Sequence, residues 1–364
     1  MNIILTGGGT GGHIYPAIAI GDKIKERFPE TNLLYIGFKG GLEANIVPKS
    51  GFDIKYVNAR WVDRKNIFAI FKTIKSVLKG KKQAYNIMKN FKPDVIIGTG
   101  GYVSYPVILA GKKYGTKLYL HEQNAYPGMA NRKLSKYVNK VFIGFEGARK
   151  YFTTLDNKNI VYSGNPVRES FYSISKEESR KILGIPEDKF VIFSFGGSQG
   201  AKSINDSMIK VIEEYANNKK VHILFGTGEL YYEKVINHFC EMDLNNVSIK
   251  DYITDMPNYL GAADLVIGRA GALSLAEITM CKRASILIPS PNVTGNHQYH
   301  NAMSVVEKGG AVIVDEDEEM ISNIIEYVKR FVTDPECIKA MEKGSEEASM
   351  PLALDAIVNT IFQE

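Results

Sequence analysis

The sequence is poor in cysteine and has no apolar run long enough to cross a membrane. Its 364 residues include three cysteines, Cys240, Cys281 and Cys337, which lie far apart. This usage argues against a disulfide framework and a cysteine-ligated metal site, and it favours a reducing compartment. No signal-peptide pattern precedes the first apolar segment, so we expect a cytoplasmic protein, which leaves contact with a membrane surface open.

Acidic residues are scarce in the first part of the chain. Residues 1–165 contain 26 Lys and Arg against 10 Asp and Glu, a net charge of +16. The remainder has 19 basic and 30 acidic residues, a net charge of −11, so that the whole chain carries +5. This asymmetry predicts two domains, the first of which faces an anionic partner. Anionic lipid is favoured over nucleic acid, because no recognised nucleic-acid-binding module is present.

Short apolar runs alternate with helical periodicity along the whole chain. This alternation predicts an α/β protein with two Rossmann-like parallel-sheet domains facing a cleft. We place the first domain at 1–163 and the second at 164–344, and expect an amphipathic C-terminal helix within about 345–364. The predicted strands are 2–6, 33–36, 94–98, 117–121, 140–143 and 160–163, then 190–195, 221–225, 247–250, 265–268, 284–288 and 311–314.

Four glycine-rich segments follow predicted strands and precede helices. They are 7–12, 98–101, 196–200 and 268–271. Each segment alone could be an ordinary connection between a strand and a helix. Four of them, at strand ends in both domains, indicate a ligand site, because helix N-termini at strand ends can bind an anion. Two such turns in the second domain suit a nucleotide diphosphate.

The first turn is followed directly by His13. Its glycines fit the dinucleotide pattern, but the second strand ends in Gly37-Phe38, without the acid that this pattern requires. The Lys and Ser or Thr of a P-loop are also missing. The segment is therefore a glycine turn that presents a histidine, or simply a tight turn in which His13 caps a helix.

A second polar segment, His121-Glu-Gln-Asn124, follows the strand at 117–121. Its residues are candidates for chemistry or for loop hydrogen bonds. Of the six histidines, His13 and His121 follow first-domain strands and are the better candidates for a base. Asp315-Glu-Asp-Glu-Glu319 is interpreted as a solvated acidic loop rather than a metal site.

Residues 61–82 combine apolar and basic side chains at helical spacing. The apolar positions are 67, 70, 71, 74, 77 and 78, and residues 60–82 contain eight basic residues against one acid, Asp63. This composition is typical of a helix that lies on an anionic bilayer. An ordinary helix with a solvated basic edge has the same composition.

Seven segments in order resemble the MurG family of peptidoglycan N-acetylglucosaminyltransferases. They are Gly8-Gly-Thr-Gly-Gly-His13, Gly100-Gly-Tyr-Val-Ser104, His121-Glu-Gln-Asn124, Gly164-Asn-Pro-Val-Arg168, Gly196-Gly-Ser-Gln-Gly-Ala201, Arg269-Ala-Gly-Ala272 and Gln298-Tyr-His-Asn301. The resemblance implies a GT-B fold and transfer of GlcNAc from UDP-GlcNAc to the MurNAc 4-hydroxyl of lipid I, with inversion, giving lipid II. It also implies a peripheral enzyme on the cytoplasmic face of the cell membrane, bound through residues 61–82, with no cofactor or metal.

The resemblance also implies roles for individual residues. The expected UDP-GlcNAc contacts are Thr10, Gly11, Gly12, Asn124, Arg168, Ser198, Ile253, Ala272, Leu273, Ser274, Glu277 and Gln298. The expected acceptor loop contains Gly100, Gly101, Tyr102 and Ser104. We take His13 as the general base, with Glu122 as its rival.

Three positions depart from the family pattern. Tyr105 stands where glycine is common, Ala270 where serine is common, and His297 where many members carry glutamine.

Two other enzyme functions stay open, because fold alone does not decide the reaction. Proteins of similar architecture include a transferase that acts on diacylglycerol and a UDP-sugar epimerase. A module that binds a nucleotide sugar without turnover is the non-enzymatic alternative.

Overall fold

The computed structural model describes residues 1–60, 67–197 and 199–363, and of residues 67–71 the backbone alone. The chain forms two compact units: unit 1 is Met1–Arg168 with Leu352–Glu364, and unit 2 is Glu169–Pro351. Each unit has its own parallel sheet and its own core. The predicted pair of Rossmann-like parallel-sheet domains is confirmed.

Seven parallel strands form the sheet of unit 1. They are β1 (Asn2–Gly7), β2 (Asn32–Gly37), β3 (Ile54–Tyr56), β4 (Val95–Gly100), β5 (Lys117–Glu122), β6 (Lys140–Ile143) and β7 (Ile160–Tyr162). Their order is β3-β2-β1-β4-β5-β6-β7. All except β3 lie at strands predicted from the sequence. The central strands are apolar runs because both of their faces are covered, as Ile3, Ile4 and Leu5, each 0% exposed, illustrate.

Helices cover both faces of this sheet. They are α1 (Gly11–Arg27), α2 (Glu43–Lys49), α3 (Ile67–Phe91), α4 (Gly101–Tyr114), α5 (Met129–Leu134) and the C-terminal helix α14 (Ala353–Gln363). Helix α14 packs beside α1 in the core of unit 1, burying Ile357 and Val358, and Phe362 stacks on Phe28 with ring centroids 3.8 Å apart. The predicted amphipathic C-terminal helix is thus confirmed.

Six parallel strands form the sheet of unit 2. They are β8 (Phe190–Phe195), β9 (Val221–Gly226), β10 (Val247–Lys250), β11 (Leu265–Gly268), β12 (Ala284–Leu287) and β13 (Ala311–Ile313), in the order β10-β9-β8-β11-β12-β13. Its helices are α6 (Lys176–Leu183), α7 (Lys202–Tyr215), α8 (Tyr232–His238), α9 (Met256–Ala262), α10 (Ala272–Met280), α11 (His297–Val306), α12 (Met320–Thr333) and α13 (Pro335–Ala348). In the part of the chain that the structure describes, no helix has the length and apolar character needed to span a bilayer.

Each sheet has one topological switch point, where neighbouring strands lead into connections on opposite sides. In unit 1 it lies between β1 and β4, and in unit 2 between β8 and β11. Ligands of open α/β sheets bind beyond the carboxyl ends of the strands at such points. The four glycine segments identified in the sequence lie where these four strands end and the following helices begin.

Candidate active site

The two glycine turns of unit 1 touch each other. A Cβ on Gly101 would lie 2.0 Å from the carbonyl oxygen of Gly8, and Gly101 has a φ of +80°. Gly9, with a φ of +87°, lies against the ring of Tyr102, since a Cβ there would be 2.8 Å from that ring. Only glycine fits such positions without strain. The first helical turns of α1 and α4 are therefore held side by side at the switch point.

A buried carboxylate supports the first turn from inside the unit. Glu43, the first residue of α2, is 0% exposed. One carboxylate oxygen accepts the N–H of Gly9 at 3.1 Å, and the other accepts the N–H of Phe38 at 3.1 Å. Burial, together with the negative charge of Glu43, raises the pKa of Tyr102. The Gly9 amide is thus used within the protein, although the sequence had suggested that amides of this turn meet a ligand.

Replacing Glu43 tests this support. Glu43→Ala leaves the N–H groups of Gly9 and Phe38 without their acceptor. We therefore expect the free energy of unfolding, measured by urea denaturation, to fall by about 2 kcal/mol. The control is Glu26→Ala, which removes an exposed carboxylate paired with Lys23 on α1. Equal unfolding midpoints for the two variants would show that Glu43 does not hold the turn.

His13 lies in the first turn of α1 and is partly exposed. Its Nδ1 is 3.1 Å from the carbonyl oxygen of Thr99 and 3.0 Å from Oε1 of Gln123. Gly100 lies against the imidazole, because a Cβ there would be 3.0 Å from Nδ1. The ring is therefore held by the second glycine turn and by the segment after β5, which confines it at the switch point.

Glu122, the other predicted base, is 1% exposed and has its acceptor positions occupied. Oε1 accepts from the backbone N and the side-chain amide of Asn124, at 3.0 and 3.3 Å. Oε2 accepts from the N–H of Gly128 at 3.0 Å and from Nδ2 of Asn131 at 2.9 Å. A carboxylate with four donors and almost no exposure is suited to fixing a loop, and poorly suited to taking a proton from a ligand.

His121 is fully buried, and burial lowers its pKa to about 4. An unfolded histidine titrates near 6.5, so between pH 6.5 and 4 the unfolded chain binds a proton that the folded chain does not. Stability should therefore fall as the pH is lowered through this range, by up to about 3 kcal/mol from this residue. Urea titrations at pH 7 and pH 4.5 measure the loss. His121→Asn should show a smaller loss, and an unchanged pH dependence in that variant would contradict the assignment.

The other predicted residues of unit 1 differ in accessibility. Thr10 and Gly12 are exposed at the start of α1, and Gly11 and Tyr102 are partly exposed. Ser104 is 0% exposed, with its hydroxyl 2.7 Å from the carbonyl oxygen of Gly100 and 3.1 Å from that of Thr6. Ser104 therefore ties the turn to β1 from inside the unit.

Unit 2 also joins two neighbouring turns, although here they follow β8 and β9 and not the switch-point pair β8 and β11. Gly200, with a φ of +77°, follows β8 and touches the turn after β9, since a Cβ there would be 2.1 Å from the carbonyl oxygen of Thr227. Nδ2 of Asn205, on α7, donates to the same oxygen at 2.9 Å. These contacts fix the start of α7 beside the strand ends. Ser198, predicted to contact the nucleotide, lies outside the described residues.

Arg269 follows β11 and binds three neighbours. Its guanidinium forms an ion pair with Glu316 and donates to Oγ of Ser203 at 3.0 Å and to the carbonyl oxygen of Ile288 at 3.2 Å. Four residues of the acidic segment, 315 and 317–319, are exposed as expected for a solvated loop, and the fifth, Glu316, anchors this turn. Because both terminal nitrogens of its guanidinium are used, Arg269 positions the loop between β11 and α10.

The remaining predicted contacts of unit 2 lie near this loop and the neighbouring strand ends. Ala272, Leu273 and Ser274 form the first turn of α10, whose N-cap is Gly271. Oε1 of Gln298 accepts the N–H of Ser290 at 2.9 Å.

Ile253, 8% exposed, follows β10 and lies against Gly226, since a Cβ on that glycine would be 2.9 Å from the Ile253 side chain. Glu277 is partly exposed on α10. Arg168 is exposed and is the last residue of unit 1 before the chain enters unit 2.

Several site residues were not predicted from the sequence. Glu43, Thr99 and Gln123 hold the first turn and His13, yet their partners are 34 to 110 residues away in the chain. The only local signal was at Gln123, which belongs to the polar segment after β5. The contacts of Glu43 and Thr99 arise from the sheet order, which places β1 between β2 and β4.

Two family models match the chain. The model of the glycosyltransferase family 28 N-terminal domain matches residues 3–143. The model of the family 28 C-terminal domain matches residues 191–357.

Full-length relatives have a common name. The UDP-N-acetylglucosamine--N-acetylmuramyl-(pentapeptide) pyrophosphoryl-undecaprenol N-acetylglucosamine transferase of Desulforamulus reducens is 39% identical, over 99% of this chain and 98% of the relative. The protein of the same name from Acetivibrio thermocellus is 39% identical, over 99% of this chain and 97% of the relative.

Solved structures share the fold. MurG from Acinetobacter baumannii superimposes with a TM-score of 0.78 at 23% identity, covering 100% of this chain and 99% of that one. A UDP-GlcNAc 2-epimerase from Neisseria meningitidis, bound to UDP-GlcNAc, gives 0.71 at 14% identity, with 100% of both chains covered. Likeness at these identities establishes the architecture, and the architecture does not select a reaction.

Proposed function

Because the chain belongs to glycosyltransferase family 28, among its MurG members, we propose that it transfers GlcNAc from UDP-GlcNAc to the MurNAc 4-hydroxyl of lipid I and so forms lipid II. The observation that carries the proposal is identity of 39% through the full length of named transferases, including both units. The likeness to an epimerase is confined to the fold, at 14% identity.

Unit 2 is proposed to bind the donor. The starts of α7 and α10 lie at its switch point, where main-chain N–H groups and the positive ends of the helices favour the diphosphate of UDP. Negative charge grows on this group as the bond to the sugar breaks, so the same groups favour the transition state. Ser198, Ile253, Glu277 and Gln298 remain the proposed side-chain and main-chain contacts, with Arg168 as a further cation.

Unit 1 is proposed to bind the acceptor and to supply the base. The second glycine turn, at the start of α4, would receive the acceptor, with the hydroxyl directed to His13. His13 is preferred to Glu122 because it is partly exposed, whereas the carboxylate is buried under four donors. Thr10, Gly11, Gly12 and Asn124 stay proposed contacts of the transferred sugar.

The lipid acceptor gives a reason for membrane contact through residues 61–82. Of this segment, 61–66 and the side chains of 67–71 lie outside the described residues. On α3, Ile74 and Leu78 are 52% and 62% exposed, four residues apart, and so lie on one face of the helix. Lys72, Lys75 and Lys79 are exposed around them. Exposed apolar side chains among lysines favour an anionic bilayer surface. We place the protein at the cytoplasmic face of the cell membrane.

Vesicle binding tests this surface. The double variant Ile74→Asp, Leu78→Asp should lose most of its binding to vesicles that contain anionic phosphatidylglycerol, measured by co-sedimentation at fixed salt. This variant removes the apolar contact and also weakens the attraction of the lysines to the anionic surface. Each added negative charge should weaken the electrostatic part of the binding free energy by about 1 kcal/mol.

The matched control separates these two causes. Asn86→Asp, Asn90→Asp adds the same two charges on the same helix, at the same spacing and at exposed positions. It should keep more of the binding than the Ile74 and Leu78 variant. If the two double variants bind equally, the apolar pair makes no membrane contact.

An acceptor panel tests the proposed reaction. Radiolabelled UDP-GlcNAc is offered with a short-chain lipid I analogue, with diacylglycerol, or alone. We expect label to move to the lipid I analogue only. Transfer to diacylglycerol would favour the other lipid transferase, conversion of UDP-GlcNAc without an acceptor would favour an epimerase, and binding without turnover would favour a binding module.

A further inference from the structure

A line of hydrogen bonds runs from His13 into the interior of unit 1. Nδ1 of His13 is 3.0 Å from Oε1 of Gln123, whose Nε2 lies 2.9 Å from Nδ1 of His121. Nε2 of His121 lies 3.0 Å from the carbonyl oxygen of Gly164. Gln123 is 2% exposed and His121 is 0% exposed. The line therefore joins a partly exposed imidazole to a buried one through a buried amide.

Backbone carbonyl oxygens fix the direction of every bond in this line. A carbonyl oxygen only accepts, so the Gly164 oxygen requires a proton on Nε2 of His121, which leaves the neutral ring with a lone pair on Nδ1. Nε2 of Gln123 is also 3.1 Å from the carbonyl oxygen of His121, which identifies that atom as the amide nitrogen. Oε1 of Gln123 must then face His13.

The same reasoning applies to the outer end of the line. Nδ1 of His13 faces two acceptors, Oε1 of Gln123 and the carbonyl oxygen of Thr99 at 3.1 Å, so it carries a proton. In the neutral imidazole the lone pair then lies on Nε2. Among the described residues, no hydrogen bond to Nε2 is formed.

We infer that Gln123 is a positioning residue that, with the Thr99 carbonyl, holds His13 in the tautomer with the proton on Nδ1 and makes Nε2 the atom that accepts the proton of the acceptor hydroxyl. His121 orients Gln123. This inference rests on the proposed function, because it assumes that His13 is the base.

The transfer step balances with this assignment. The acceptor oxygen forms a bond to the anomeric carbon as the bond from that carbon to the β-phosphate oxygen breaks, and that electron pair leaves with UDP. The hydroxyl proton moves to Nε2, giving an imidazolium whose Nδ1–H still has two acceptors. Solvent then removes the proton. Gln123 thus stabilises the charged ring through a neutral dipole.

The tautomer can be observed directly. Nitrogen-15 NMR of the histidine-labelled full-length protein separates protonated from bare ring nitrogens, and comparison with His13→Gln identifies the His13 signals. We expect Nδ1 protonated and Nε2 bare in the neutral wild-type ring. In Gln123→Met a measurable fraction of the other tautomer should appear. A wild-type ring protonated on Nε2 would overturn the inference, whether or not the protein is an active transferase.

Kinetics give a second readout. Gln123→Met should lower kcat about 10- to 100-fold, as for loss of one hydrogen bond to a charged group, with the KM of both substrates little changed. The control is Gln83→Met, which removes an amide oxygen that accepts the N–H of Asn58 at 2.7 Å elsewhere in unit 1. The control should keep the wild-type kcat.

The two failures are distinguishable. Equal kcat values in Gln123→Met and Gln83→Met would overturn the role of Gln123 while leaving the reaction itself in place. A wild-type protein with the expected NMR signals but no transfer to a lipid I analogue would overturn the proposed function while leaving the tautomer assignment in place.

Discussion

His13→Ala is expected to lower kcat for transfer to a lipid I analogue by about 10²- to 10⁴-fold, the usual range for loss of a general base. The KM for UDP-GlcNAc should change little, because we place the uridine diphosphate of the donor on unit 2 and His13 itself is not a proposed donor contact. Initial rates at saturating concentrations of both substrates measure the effect, with UDP release and product formation followed in parallel.

Comparison with Glu122 decides between the two predicted bases. His13→Gln should lose activity while keeping the wild-type unfolding midpoint, since His13 is partly exposed at a helix start. Glu122→Gln should lower the midpoint, because an amide nitrogen would then face one of the donors that the carboxylate now accepts from. If His13→Gln kept near wild-type turnover, His13 would not be the base.

Asp264→Ala is expected to lower the free energy of unfolding of unit 2 by about 3 kcal/mol. Oδ2 of Asp264 accepts from Nη2 of Arg180 at 2.6 Å and from the N–H of Val191 at 2.7 Å, and Oδ1 accepts from Nζ of Lys176 at 2.9 Å. The Arg180 side chain is 7% exposed, so removing the carboxylate leaves a buried charge without its counterion. Urea unfolding followed by circular dichroism measures the loss.

An exposed aspartate provides the control for this variant. Asp188, in the same unit, pairs with Lys189 at 3.4 Å, and its side chain is 74% exposed. Such surface pairs contribute little, so Asp188→Ala should leave the unfolding midpoint unchanged. A loss as large in Asp188→Ala as in Asp264→Ala would mean that burial of the Arg180 pair is not what stabilises unit 2.

The strands were predictable because each is a short, buried apolar run, and these runs are separated by segments with helical periodicity. All twelve predicted strands are present in the structure. The missed strand β3 has only three residues, and two of them, Lys55 and Tyr56, are exposed. A short edge strand of this kind has no apolar run, so its existence depends on pairing with β2.

The site was predictable where glycine is required and less so where a distant side chain completes it. The glycine turns could be found because their backbone contacts exclude any Cβ, as at Gly101. Ser104 was placed in the expected acceptor loop, and its hydroxyl bonds Thr6 and Gly100 inside the unit. A serine in the first turn of a helix can face the solvent or the sheet, and the sequence pattern does not contain the sheet order that decides it.

The acidic loop before α12 shows the same limit. Five acidic residues in a row are typical of a solvated surface, yet Glu316 pairs with Arg269, the residue that follows β11. The two residues are 47 positions apart and meet beyond the carboxyl ends of the strands. The charge composition predicts that the segment is exposed to solvent, but it does not predict that Glu316 pairs with Arg269.

Mass spectrometry of the lipid product tests the central claim most directly. Wild-type protein, UDP-GlcNAc and a short-chain lipid I analogue should give one product heavier by a single N-acetylhexosamine, with a β linkage to the MurNAc 4-hydroxyl, and His13→Ala should give little of it under the same conditions. An unmodified acceptor, or UDP-GlcNAc converted to its 2-epimer, would contradict the account.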